Sequence, residues 1–173
     1  ETINRKYVDT EDHYHVLLTA DIIWSWLQDR FGYTHYPIIT GDNGSGKNSQ
    51  LLVIKFLGYR VFYVVSASAA NYYTKMGNIE EGQITIAEDE ADDIAIDKEK
   101  RNVIKNGYSS GGSVPKVELE GGRKSDDWLV YCQKWFSMEE LPTRREIKGI
   151  LDRCFVLRFV PGDAQYNIKD IIN

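Results

Sequence analysis

Cysteine is scarce in this chain: there are 2 in 173 residues, Cys132 and Cys154. Two thiols cannot build the disulfide framework that staples small secreted domains. Both lie in apolar, strand-like runs (LVYC and CFVL), where a buried free thiol is expected. The 3 histidines, His13, His15 and His35, show no ligand spacing with the cysteines, which argues against a structural zinc. No apolar run approaches the roughly 20 residues of a membrane-spanning helix, and no secretory leader opens the chain. Positive charge is not in excess either. A formal net charge of -5 does not suggest a chain coated with nucleic acid, although it leaves room for local basic patches. Internal repeats and low-complexity tracts are missing. These absences favour a globular domain in a reducing, cytoplasmic setting, with no membrane partner.

What the chain does contain suits one domain with its own core: 42% hydrophobic and 27% charged residues. It opens at Glu1 without methionine and stops at IKDIIN, and reads as an excised domain or mature fragment. Val16, Leu17, Ala20, Ile23, Trp24 and Leu27 recur at helical spacing and predict an N-terminal helix over 12–30, with Gly32 as a stop. YPIIT (36–40) predicts a short buried strand that enters a glycine loop, and Ser49 to Leu57 a helix capped by Gly58. YRVFYVVS reads as a second strand, ASAANYYTKMG as a helix, and GQITIAEDEAD as a third strand running into acidic residues. DKEKRNVIKNGY is helical, and SVPKVELEGGRK is an extended arm with a Gly121-Gly122 turn. DWLVYCQKWF is a fourth strand, TRREIKGILD a short helix, and RCFVLRFV a fifth strand closed by PGD. Strands alternating with helices predict a three-layer α/β/α sandwich on a mainly parallel five-stranded sheet, one domain over 1–173 with its core at 36–162. Ligands of such sheets bind at the carboxyl ends of the strands. Gly41–Lys47, Glu88–Glu90, Ser137–Glu140 and Gly162 all follow strand ends.

Gly41-Asp42-Asn43-Gly44-Ser45-Gly46-Lys47 fits the phosphate-loop spacing G-x-x-x-x-G-K. Glycines let the backbone turn so that successive N–H groups point at phosphate oxygens, and the following helix adds its positive end. Lys47 reaches the β- and γ-phosphates of ATP as a point charge. The spacing alone arises in such a chain roughly one time in twenty, so the strand before it and the helix after it carry the assignment. Asn48 stands where Ser or Thr normally touches Mg²⁺; it offers a carbonyl oxygen on a longer arm. Ser49 cannot simply replace it, since the next helical position is turned by about 100°. In ITIAEDEAD, Asp89 is the expected holder of the Mg²⁺ water shell and Glu90 the base that polarises the attacking water. Glu88/Asp89 is an alternative register, and a solvated acidic turn is the bland alternative.

NGYSSGGSV (106–114), KWFSMEELP on the fourth strand and KGILDRCFVLRF on the fifth extend the pattern over residues 13 to 162. With the loop and the carboxylates, they resemble the AAA+ branch of P-loop ATPases. More narrowly, they resemble the AAA-like, superfamily 3 helicase type of domain found in phage and plasmid primase-helicases. The resemblance implies an ATP- and Mg²⁺-dependent motor domain of a DNA replication protein, working as a homo-oligomeric ring on single-stranded or duplex DNA. It puts Ser137 or Glu139 in the sensor-1 region and Arg153 at the position of an arginine finger supplied to a neighbour, with Arg144 and Arg145 as runners-up. It makes the arm at 113–124 a channel-lining hairpin in which Lys116, Arg123 and Lys124 contact DNA phosphates. It also implies that the C-terminal lid is truncated or absent.

Bland readings stand beside these. Arg153 also suits a helix C-terminus. Glu118, Glu120, Asp126 and Asp127 nearly neutralise the arm, as in an ordinary solvated hairpin. Tyr72 and Tyr73 suit core packing better than base stacking, and the tryptophans suit core or interface. One rival function is a non-hydrolysing nucleotide switch or scaffold, favoured by Asn48. Another is a small-molecule or nucleoside kinase, for which an arginine-rich lid is lacking.

Overall fold

The computed structural model describes residues 2–77, 79–118, 124–142 and 145–171. The strands, in chain order, are β1 (Tyr36–Thr40), β2 (Val61–Val65), β3 (Thr85–Asp89), β4 (Ser113–Glu118), β5 (Lys124–Leu129), β6 (Lys134–Met138) and β7 (Cys154–Arg158). The helices are α1 (Thr2–Tyr7), α2 (Asp12–Ser25), α3 (Lys47–Leu57), α4 (Ala69–Met76), α5 (Lys98–Asn106) and α6 (Lys148–Leu151). Five strands form one sheet in the order β2-β3-β6-β1-β7, parallel at every pairing. The strand that leads into the glycine loop and the strand that ends in carboxylates are therefore separated by β6.

β1, β3 and β6 are buried along their whole length, as apolar strands of a parallel sheet covered on both faces should be. Alternate residues serve opposite cores. Ile38, Ile86 and Phe136 pack with Tyr72, Met76, Val103 and Ile104 from α4 and α5. Ile39, Ala87, Trp135 and Leu157 pack with Leu18, Leu51 and Ile54 from α2 and α3. These two cores make the three-layer α/β/α sandwich. Tyr72 and Tyr73 lie in the first of them.

DWLVYCQKWF is not a single strand. Residues 124–129 pair antiparallel with 113–118 as a hairpin, and KWFSM alone joins the sheet. The intervening turn is fixed by other partners: Val130 N–H donates to Gly112 O (2.9 Å) and Cys132 N–H to Gly107 O (3.2 Å). Gln133 N–H donates to the Gln28 side chain at 2.6 Å. The hairpin rests on α4 through Trp128, whose ring covers Gly77 so closely that a Cβ there would lie 1.9 Å from it.

The helix expected over 12–30 ends at Ser25, and a 3-10 turn follows at Gln28–Arg30. Its apolar stripe also faces outward: Val16, Leu17, Ile23 and Leu27 are exposed, while His15, Asp21, Ser25 and Gln28 are buried. Buried polar side chains on this face find partners elsewhere in the fold, Ser25 Oγ accepting from Tyr59 N–H at 3.0 Å. Asp21 pairs with His35, and Gln28 donates to Ile84 O and Thr85 Oγ1, both at 3.0 Å. Cys132 is a buried free thiol, and Cys154 is a half-buried one. Among the described residues, no helix is long and apolar enough to cross a membrane.

Candidate nucleotide site

β1 ends at Thr40, and the chain turns at once through three glycines with positive φ: Gly41 (150°), Gly44 (82°) and Gly46 (88°). Side chains are excluded most firmly at Gly41, where a Cβ would meet Phe159 O at 2.3 Å. Gly46 is the N-cap of α3, so the first N–H groups of that helix open into the same space. Lys47 is buried and curls back over the loop, its ammonium donating to Gly41 O and to Asp42 O, the latter at 3.0 Å. Asn48 is exposed in the first turn of α3 and Ser49 half-buried.

The loop forms one wall of a cleft of about 760 Å³. Asp89 and Glu90, at the end of β3, and Ser137 and Glu139, around the end of β6, contribute to its lining with Asn43 to Ser49. Asp89 is held firmly. Ser137 Oγ donates to its Oδ1, Tyr63 OH to its Oδ2 at 3.3 Å, and the Glu90 N–H to Oδ1 at 3.1 Å. Burial, and next the negative charge of Asp89, push the Tyr63 phenol up to about 12, so it stays a donor. Glu90 follows with an exposed side chain and a left-handed backbone, φ 55° and ψ 49°. A non-glycine residue in that region costs about 1–3 kcal/mol and persists where its surroundings impose it.

No family model matches this chain, and no curated protein does. Solved structures do match in fold. The RuvB Holliday junction branch migration motor of Thermotoga maritima is 12% identical with a TM-score of 0.52, over 89% of this chain and 47% of that one. A lysine-to-arginine mutant of that RuvB gives 11% and 0.52, over 86% and 45%. A proline-to-glycine mutant gives 11% and 0.51, over 83% and 44%. The fold resembles the RuvB P-loop NTPase domain. This chain spans less than half the length of those RuvB chains.

On this RuvB-like fold Asn43 to Ser49 of the loop, Asp89, Glu90, Ser137 and Glu139 come together at one cleft, whereas Gly41 and Asp42 lie outside its lining. Glu139 also ties in through its backbone: its carbonyl accepts from Gly41 N–H at 3.3 Å, and its N–H donates to Asp92 Oδ1 at 3.3 Å. Arg153 lies elsewhere. It precedes β7, at the end of the sheet opposite the loop, stacks over Tyr108 at 4.3 Å and donates to Gly149 O. Lys116 and Lys124 belong to the hairpin strands, whereas Arg123 and Arg144 lie outside the described residues. Ser66, Asn167 and Lys169 also line the cleft. Ser66 was legible from the strand-end rule, because it follows β2. Nothing in the spacing of Asn167 or Lys169 points to the site.

The donor set fits Mg²⁺. Asp89 offers a carboxylate, Asn48 an amide, and Ser49 and Ser137 hydroxyls, all hard oxygen donors at one cleft. Among the described residues no group of three or more His, Cys, Asp or Glu is placed to hold a metal. An ion bound through one carboxylate, waters and nucleotide phosphates is the mode that suits these residues.

Proposed function

We propose that this chain is an ATP-binding, ATP-hydrolysing AAA+-type motor domain of a DNA replication protein of the primase-helicase kind. The observation that carries this reading is the meeting of Lys47, from the loop after β1, with Asp89 and Glu90, from the end of β3, at one cleft. In it, the N–H groups of Gly44 to Ser49 and the Lys47 ammonium hold the β- and γ-phosphates. Lys47 exchanges its carbonyl partners for phosphate oxygens. Asp89, kept in place by Ser137 and Tyr63, holds Mg²⁺ with Asn48. Mg²⁺ held there would supply positive charge to the transferring phosphoryl oxygens. Glu90, exposed to the cleft, takes the proton of the attacking water.

The finer assignments are part of the same proposal. Arg153 cannot reach its own chain's cleft from the far end of the sheet, which suits an arginine supplied to a neighbour in a ring. Lys116, Arg123 and Lys124 give the hairpin its DNA phosphate contacts. RuvB, a branch migration motor, offers a fold-level analogy for DNA as the partner. A second reading, a nucleotide-bound switch or scaffold without hydrolysis, is favoured by Asn48.

ATP turnover of the full-length protein, with and without single-stranded DNA, separates these readings. The first expects turnover that Lys47→Ala abolishes together with nucleotide binding. Retained ATP binding with no turnover in the unmutated protein would overturn it and favour the switch.

A further inference from the structure

Asp89 turns toward the loop, but Glu88, one residue earlier on β3, turns to the opposite face and is fully buried. A carboxylate there must be paired. Its Oε1 accepts from Ala67 N–H at 2.7 Å and from Lys100 Nζ at 2.5 Å, and its Oε2 accepts from Tyr72 OH. Burial raises the Glu88 carboxyl above its usual range, while Lys100, Tyr72 and Ala67 pull it back down. Lys100, on α5, is fully buried too, and its ammonium has a second carboxylate, Asp93 Oδ1 at 2.5 Å. Asp93 lines the nucleotide cleft.

One buried ammonium therefore grips both ends of the segment 88–93. Between those ends lie Asp89 and Glu90, the latter in its left-handed conformation. Five of the six residues in that segment are acidic, so it would splay apart by like-charge repulsion without an enclosed cation. The same knot holds the end of β2, because Ala67 follows Ser66, another left-handed residue lining the cleft.

We propose that Lys100 is a positioning residue: with Glu88 and Asp93 it closes the acidic turn into a ring and fixes Glu90 where it can act on water. This rests on the hydrolytic reading above for its effect on rate, but not for its effect on order in the turn.

The test compares Asp93→Asn, Lys100→Met and the double variant Glu88→Leu/Lys100→Met with the unmutated full-length protein. Thermal melting, amide hydrogen exchange of residues 89–95, and kcat and KM for ATP are read for each. Lys100→Met alone leaves Glu88 buried without its cation and is expected to melt early. The double variant removes both buried charges and is expected to melt near the unmutated protein. In it, exchange at 89–95 should quicken and kcat should fall about tenfold or more, with KM within about twofold. Asp93→Asn leaves the Glu88–Lys100 pair intact and should show the same pattern more weakly, which keeps the test open if the double variant does not fold. Unmutated exchange and kcat in the folded variants would overturn the proposal and leave Lys100 a purely structural ion pair. If the unmutated protein turns over no ATP, the hydrolytic reading fails by itself. Exchange at 89–95 then decides the role of Lys100, and unchanged exchange overturns it.

Discussion

At the scale of single residues, Asn48 matters because its neighbours are already committed. Ser137, Tyr63 and the Glu90 N–H occupy the Asp89 oxygens, whereas Asn48 is exposed at the start of α3. In the Mg²⁺-bound state proposed above, threonine would offer a hydroxyl on a shorter arm in place of the amide oxygen. Asn48→Thr is expected to raise Mg²⁺-dependent ATP turnover, measured as rate against Mg²⁺ concentration. Equal or lower turnover would mean that the amide oxygen is the working ligand. The turn through Gly41, Gly44 and Gly46 into α3 was legible in the sequence because a strand, closely spaced glycines and a following helical pattern predict it. Glu88 was not: its side chain alternates to the other face of β3, and its partner Lys100 arrives from a helix 12 residues later. The supporting phenol of Tyr63 was hidden for a similar reason, since its contact crosses between strands 26 residues apart.

At the scale of elements, the position of a helix was easier to read than its orientation. The apolar spacing finds α2, which stops earlier than expected, yet its buried side mixes Leu18 and Ile22 with His15, Asp21 and Ser25. His35, Thr85 and Gln133 supply partners to this polar face and to Gln28 that no local pattern reveals. The run DWLVYCQKWF failed as one strand for a comparable reason, its middle being claimed by backbone groups of the 107–112 turn. How the hairpin is attached can be tested directly. Gly77→Ala would place a methyl carbon 1.9 Å from Trp128 Cζ3, forcing the ring and the hairpin to shift. A loss of about 1–3 kcal/mol in urea unfolding is expected. In a Trp128→Ala background the same change should cost much less, and an undiminished cost would place the clash elsewhere.

At the scale of the whole molecule, the sheet separates two ends with different partners. The cleft gathers at the carboxyl ends of the strands, and Arg153 stands at the other end against Tyr108. If rings form as proposed, mixing Arg153→Ala chains with Glu90→Gln chains should restore part of the lost ATP turnover. Some interfaces would then pair an intact carboxylate with an intact arginine. No recovery at any ratio would remove Arg153 from that role.

The sheet order also dictates when the site can exist. β1 is bonded between β6 and β7, the last strands of the sheet to be synthesised. The loop that follows is closed by Gly41 N–H to Glu139 O and by Phe159 N–H to Thr40 O. Such distant pairings are slow to form and wait for most of the chain. The glycine loop is thus among the first parts of the site to leave the ribosome and among the last to take shape, so nucleotide capture would report that folding is complete.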